Sequence, residues 1–181
     1  DIAVFPQPGL AANIAATGCL SPLGDDIKQM VLDNYAAGQS WVDLTTYKDP
    51  VGFEKFYGVF YRVNVKSLVW YSPDNFEDNG YEIPTTMEDL LALADQMVSD
   101  GNTPFCIGLG SGGATGWPAT DWMEDIMLRT HSPNTYDQWV SNEMKFNDQR
   151  VIDAMDFFGS IALNDSYVNG GTKAVATTDF R

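Results

Sequence analysis

Apolar residues recur along this chain in two periods, and the change of period marks its elements. Between Asp26 and Tyr35, the residues Ile27, Met30, Val31 and Tyr35 fall three and four apart, the spacing of a helix with one buried face. The same spacing predicts a helix ending near Val98, with Leu90, Leu91, Ala94 and Met97 or Val98 as its stripe. Thr85 with Glu88 reads as its capping box, and Gly101 as its C-terminal stop. A further helix opens near Pro118, a residue suited to a first turn, and turns Ala119, Trp122, Met123, Ile126 and Met127 inward. Leu10–Ala16 is a short helix-like patch, and Tyr136–Val140 a short helix. Asp148–Leu163 is a longer one with Val151, Ile152, Met155, Phe158 and Ile161 or Ala162 inward.

The period of two appears in Phe56–Tyr71. There Tyr61, Val63 and Val65 take one face, and Arg62, Asn64 and Lys66 the other. This predicts one long strand, ended by a turn at Ser72-Pro73-Asp74. Asp1–Phe5, Pro104–Ile107 and Thr172–Thr178 also read as strands. Helices and strands alternate from start to finish, so the predicted class is α/β.

Composition narrows the picture. The 181 residues are 44% hydrophobic, enough for one large or two small domains with a proper core. A net charge of −15 argues against nucleic acid or an anionic membrane as a partner, because both select basic surfaces. Most of that charge reads as solubility. No run of apolar residues is long enough to span a membrane. The chain opens at Asp1 in a strand-like run without a signal peptide and closes after another. It therefore reads as a piece of a longer protein, trimmed at both ends. Cys19 and Cys106 have no metal or redox spacing; they read as two small buried hydrophobes, with a disulfide as the alternative.

The densest chemistry lies at Gly108–Asp125. A strand, a loop of glycines with Ser111 and Thr115, and a helix opening at Trp117-Pro118 follow one another. Such a junction is a common place for a polar ligand. Gly108–Gly113 matches G-x-G-x-x-G, but the helix begins too late for a dinucleotide site, and no strand ending in an acid follows. Leu109 breaks the spacing that a nucleophile elbow needs around Ser111. His131 is the one histidine, so neither a triad nor a histidine metal site is expected. Asp121, Glu124 and Asp125 are too close along one helix to face each other across a substrate, and Glu124 and Asp125 read as a solvated helix start. Asp121 lies one turn from Trp117, on the same face. A ring plus a carboxylate is a way to grip a sugar; the alternative for Trp117 is a half-buried core ring. Arg62, Asn64 and Lys66 read either as a solvated strand face or as a polar edge at a crevice.

Three stretches carry a resemblance: YGVFYRVNVKSLVWYSPDNFEDNGYEIPTTMEDLLAL, GSGGATGWPATDWMEDIMLR and GGTKAVATTDF. Together they resemble extracellular solute-binding proteins of ABC transporters, in the sugar-binding group related to maltose-binding protein, and its α-glucoside-binding branch in particular. Phe60 stands where that group usually has proline, and Met87 where it usually has tryptophan. The resemblance covers the whole chain. It implies a type II periplasmic-binding-protein-like fold of two α/β lobes. Residues 1–61 would be part of the N-terminal lobe, and residues 62–181 the hinge crossing with most of the C-terminal lobe. It further implies a periplasmic or extracellular receptor, not an enzyme, with no cofactor. Such a receptor holds an α-glucoside or small oligosaccharide between its lobes and hands it to membrane permease subunits. Gln7, beside Phe5 and Pro8, would lie on the first lobe's side, and Arg62, Asn64 and Lys66 at the hinge. Gly113, Thr115, Trp117 and Asp121 would form the second lobe's ligand loop, with Thr178 at a later strand end. The alternative is a glycoside hydrolase using acids near Asp121.

Overall fold

A computed structural model describes residues 1–181. They form two compact units, Asp1–Asn64 and Val65–Arg181. The first unit holds α1 (Pro8–Ala15), α2 (Asp25–Asn34), α3 (Gly38–Asp43), β1 (Thr46–Lys48) and β2 (Glu54–Phe56). The second holds α4 (Pro73–Asn79), α5 (Met87–Ser99), α6 (Trp117–Thr130), α7 (Pro133–Val140), α8 (Gln149–Ala162) and α9 (Thr172–Val175). No helix is long and apolar enough to cross a membrane.

In the first unit, Val31 of α2, Val42 of α3 and Phe56 of β2 are buried together, with Ile27, Leu32, Tyr35 and Trp41 packed around them. Asp25 and Asp26 open α2, where the helix dipole favours negative charge. β1 and β2 are antiparallel, with Thr46 opposite Phe56 and Lys48 opposite Glu54. Asp49 closes their turn: its Oδ1 accepts the Val51 and Phe53 N–H groups at 3.0 and 2.9 Å. Burial pushes the Asp49 carboxyl up, but those N–H groups and Lys55 outweigh it and leave it below its ordinary range.

The second unit has two joined cores. Ala94, Ile107, Ile161, Ala162, Tyr167, Val168 and Val175 form one. Met123, Ile126, Met127, Met144, Val151 and Ala154 form the other. Trp122, Phe157 and Phe158 pack against both, so α6 and α8 tie them together.

Several predicted elements are corrected. Asp1–Phe5 forms no strand, and of the long strand expected at Phe56–Tyr71 only Phe56 is in one. From Gly58 to Tyr71 no backbone N–H donates to a backbone carbonyl, and Tyr61, Val63, Val65 and Trp70 are exposed. Alternation decides which face a side chain takes, but only a paired neighbour makes a strand. Ser72-Pro73-Asp74 begins a helix instead of a turn. Ser72 Oγ accepts the Asn75 N–H, Pro73 sits in the first turn, and Gly80 ends the helix in the left-handed region. The cap of α5 lies one residue later than expected: Thr86 accepts the Asp89 N–H at 3.1 Å. The stripe of α8 is rotated, with Val151, Ala154, Ile161 and Ala162 buried and Ile152 and Met155 exposed. Thr172–Val175 is helical because Asp165 accepts the Thr172 N–H at 2.8 Å and Gly171 turns the chain into it. Cys19 and Cys106 are exposed free thiols, neither buried nor bridged.

The strand expected at Pro104–Ile107 is reduced to one isolated parallel bridge, Phe105 with Val168, and a second bridge joins Gly110 to Asp179 beyond it. Between them the backbones meet closely. A β-carbon on Gly108 would stand 2.4 Å from the Asp179 carbonyl oxygen, and one on Gly110 2.8 Å from that of Thr178. These two glycines are therefore needed for the close contact between the two backbone segments. Neither position leaves space for a ligand beside the backbone. Gly113 faces open space. Gly108→Ala is expected to lower unfolding free energy by about 1–3 kcal/mol, whereas Gly113→Ala stays within about 0.5 kcal/mol. Urea titration of both variants checks the contrast.

Candidate functional site

The site grows out of the contact at Gly110. The Gly110 N–H donates to the Thr178 carbonyl at 2.8 Å, and the Phe180 N–H donates to the Gly110 carbonyl at 3.0 Å. The loop that follows closes on itself. Thr115 Oγ1 accepts the Ser111 N–H at 3.0 Å and donates to the Gly112 carbonyl at 2.8 Å. The Gly116 N–H donates to the Leu109 carbonyl at 2.9 Å. Gly116, at φ 104°, holds the left-handed conformation that launches α6. The result puts Trp117 against Phe180, edge to face, with ring centroids 4.9 Å apart.

Lys66 completes the arrangement. Its Nζ donates to Asp121 Oδ2 at 2.8 Å and lies 4.3 Å from the centre of the Trp117 ring. Two aromatic rings, a carboxylate and an ammonium thus form one surface, with the Lys66 and Asp121 side chains 48% and 29% exposed. Below it, burial and then the Asp121 charge push the Glu124 carboxyl up, partly offset by Lys66. Burial and then the Glu124 charge likewise push the Tyr136 hydroxyl up. Such a surface can stack an apolar ring face and accept hydrogen bonds from hydroxyl groups without covalent chemistry. No group of metal-ligating side chains gathers here or elsewhere in the chain.

The residues singled out from sequence fall into two sets. In the second unit Lys66, Trp117 and Asp121 converge directly, and Thr115 and Gly113 belong to the adjoining loop. Thr178 reaches the same region through its carbonyl, which is spent on Gly110. The Thr115 hydroxyl is likewise engaged within its loop. In the first unit Arg62 and Asn64 line a groove with Val4, Phe5, Pro6 and Tyr61. Gln7 is exposed, precedes α1 and makes no cap bond with its side chain. Sequence reasoning gave Glu124 to a solvated helix start and gave Tyr136 no role at the site. Their signal is spatial: Tyr136 reaches α6 only through the packing of α7 on it.

The family of the chain is given by its sequence as a whole. The chain belongs to the bacterial extracellular solute-binding protein family, which matches residues 1–179. The alpha-glucosides-binding periplasmic protein AglE of Rhizobium meliloti is 61% identical over 181 residues, covering 100% of this chain and 40% of that protein. The osmoprotective compounds-binding protein GgtB of Synechocystis is 48% identical over 180 residues, covering 99% of this chain and 41% of that protein. An uncharacterised ABC transporter extracellular-binding protein of Pyrococcus horikoshii is 26% identical over 105 residues, 57% of this chain and 23% of that protein. The chain therefore spans about two fifths of the length of AglE and of GgtB. No solved structure matches it.

The raised Glu124 carboxyl has a consequence for stability. An acid whose folded-state pKa lies above its unfolded value is penalised once ionised. Its cost is absent at acidic pH, where both states bind the proton, and present at neutral pH. Glu124→Gln is therefore expected to raise the melting temperature at pH 7, by a margin that disappears well below the ordinary glutamate range. Thermal melts across pH check the sign.

Proposed function

We propose that this chain is part of the substrate-binding component of an ABC-type sugar importer. That component captures an α-glucoside or small oligosaccharide outside the cytoplasm and delivers it to the membrane permease subunits. The observation that carries this reading is the surface at Trp117. Its ring and that of Phe180 offer apolar area to the C–H face of a sugar, and Asp121 offers an acceptor to its hydroxyls. The similarity to a relative whose name specifies alpha-glucosides supports the choice of ligand class.

We further assign residues 1–61 to part of an N-terminal lobe, and residues 62–181 to a hinge crossing with most of a C-terminal lobe. The structural units divide three residues later, between Asn64 and Val65. In this reading Lys66, Trp117 and Asp121 belong to the ligand wall, with Gly113 and Thr115 shaping the loop beside them. Thr178 holds that loop in place through its backbone. Gln7, Arg62 and Asn64 supply polar groups from the first unit.

The glycoside hydrolase alternative gains nothing from the geometry. Asp121 and Glu124 stand on one turn of α6, and Asp121 is committed to Lys66. Hydrolysis asks for two carboxyl groups facing each other about 5–10 Å apart.

Calorimetry with maltose, trehalose and sucrose on the complete protein that carries this chain tests the proposal. Saturable binding of at least one of them, without turnover of a chromogenic α-glucoside, is expected. Trp117→Ala should weaken that binding by about tenfold or more, as loss of a central aromatic contact does. Absence of binding to every α-glucoside tried would reject the reading.

A further inference from the structure

We propose that Lys66 is an affinity-setting residue that occupies the ring face on which the ligand stacks, so the ligand must displace it to bind. The inference rests on the sugar-receptor reading above and goes beyond it by giving Lys66 a role opposite to that of a ligand donor.

Space and charge set Lys66 against a stacked ligand. The Lys66 ammonium lies 4.3 Å from the centre of the Trp117 ring. A stacked ligand needs its atoms at about 4 Å from that ring, so the two compete for one volume. Phe180 already covers another part of the same indole at 4.9 Å. Lys66 is held in place by two electrostatic contacts: the ring beneath it, and Asp121 Oδ2 at 2.8 Å. That oxygen is also the acceptor proposed for a sugar hydroxyl. Displacing Lys66 therefore clears the stacking face and the acceptor together.

The hold is weak enough to be displaced. The lysine side chain is 48% exposed, it sits on a stretch without backbone pairing, and both contacts are of a kind that salt screens. The Glu124 carboxyl nearby also attracts the ammonium without bonding to it. Added salt should loosen Lys66 while leaving the stacking of a neutral sugar largely untouched. Ligand affinity should then rise with ionic strength, the reverse of what a charged binding contact gives.

The test is calorimetric titration of whichever of maltose, trehalose and sucrose binds. The complete wild-type protein, Lys66→Ala and Lys66→Arg are each measured in low and in high sodium chloride. Wild type is expected to bind more tightly in high salt. Lys66→Ala is expected to bind about fivefold more tightly than wild type in low salt, with little change on adding salt. Lys66→Arg, which keeps the cation and its stacking, should retain the salt response. Weaker binding by a folded Lys66→Ala, or affinity unchanged from wild type, overturns the proposal and makes Lys66 a donor or a bystander. Should Lys66→Ala fail to fold, wild-type affinity that is flat or falls with salt overturns it equally. No binding of any α-glucoside by wild type at either salt level overturns the receptor reading itself, and this inference with it.

Discussion

The second unit depends on a backbone-to-backbone approach that no side chain could share. The Thr178 and Asp179 carbonyls lie where β-carbons at positions 108 and 110 would stand. With glycine at both places, the Gly110 and Phe180 amides bond across the contact. Everything at the site follows in order. Phe180 is delivered beside α6, the loop from Ser111 to Gly116 is pinned at both ends, and Trp117 opens its helix facing that phenylalanine. Gly108 and Gly110 matter for the room they leave to the Thr178–Phe180 backbone.

The second constraint is electrostatic. The chain carries 25 acidic against 10 basic residues, so each cation has many carboxylates to choose from. Lys66 takes Asp121, although 55 positions separate them, and lies over Trp117. A cation between a ring and a carboxylate keeps both in register, and Lys66 so placed covers one face of the Trp117 ring. The surface is thus both organised and occupied by one side chain.

Much of this was legible in the sequence, for reasons that differ by element. The helices α2, α5, α6 and α8 were readable because apolar spacing and end residues are local signals. The pairing of Trp117 with Asp121 was readable because four residues make one helical turn. The α4 start was misread as a turn because Ser-Pro-Asp serves both purposes until a chain continues as helix. The β1–β2 hairpin went unseen because its strands are three residues long, too short for alternation to register. The expected long strand failed because pairing is a property of two segments. The places of Lys66, Phe180 and Tyr136 rest on contacts between distant parts of the chain, and no local pattern encodes them.

We propose that the wall at Trp117, built on the Gly108–Gly110 contact, meets the ligand. Nuclear magnetic resonance of the isotope-labelled complete protein, titrated with maltose, trehalose or sucrose, tests it most directly through the tryptophan indole N–H signals. The Trp117 signal is expected to move saturably while that of Trp139, on α7, stays in place. A ligand that binds and shifts other tryptophans while leaving Trp117 unmoved would contradict it.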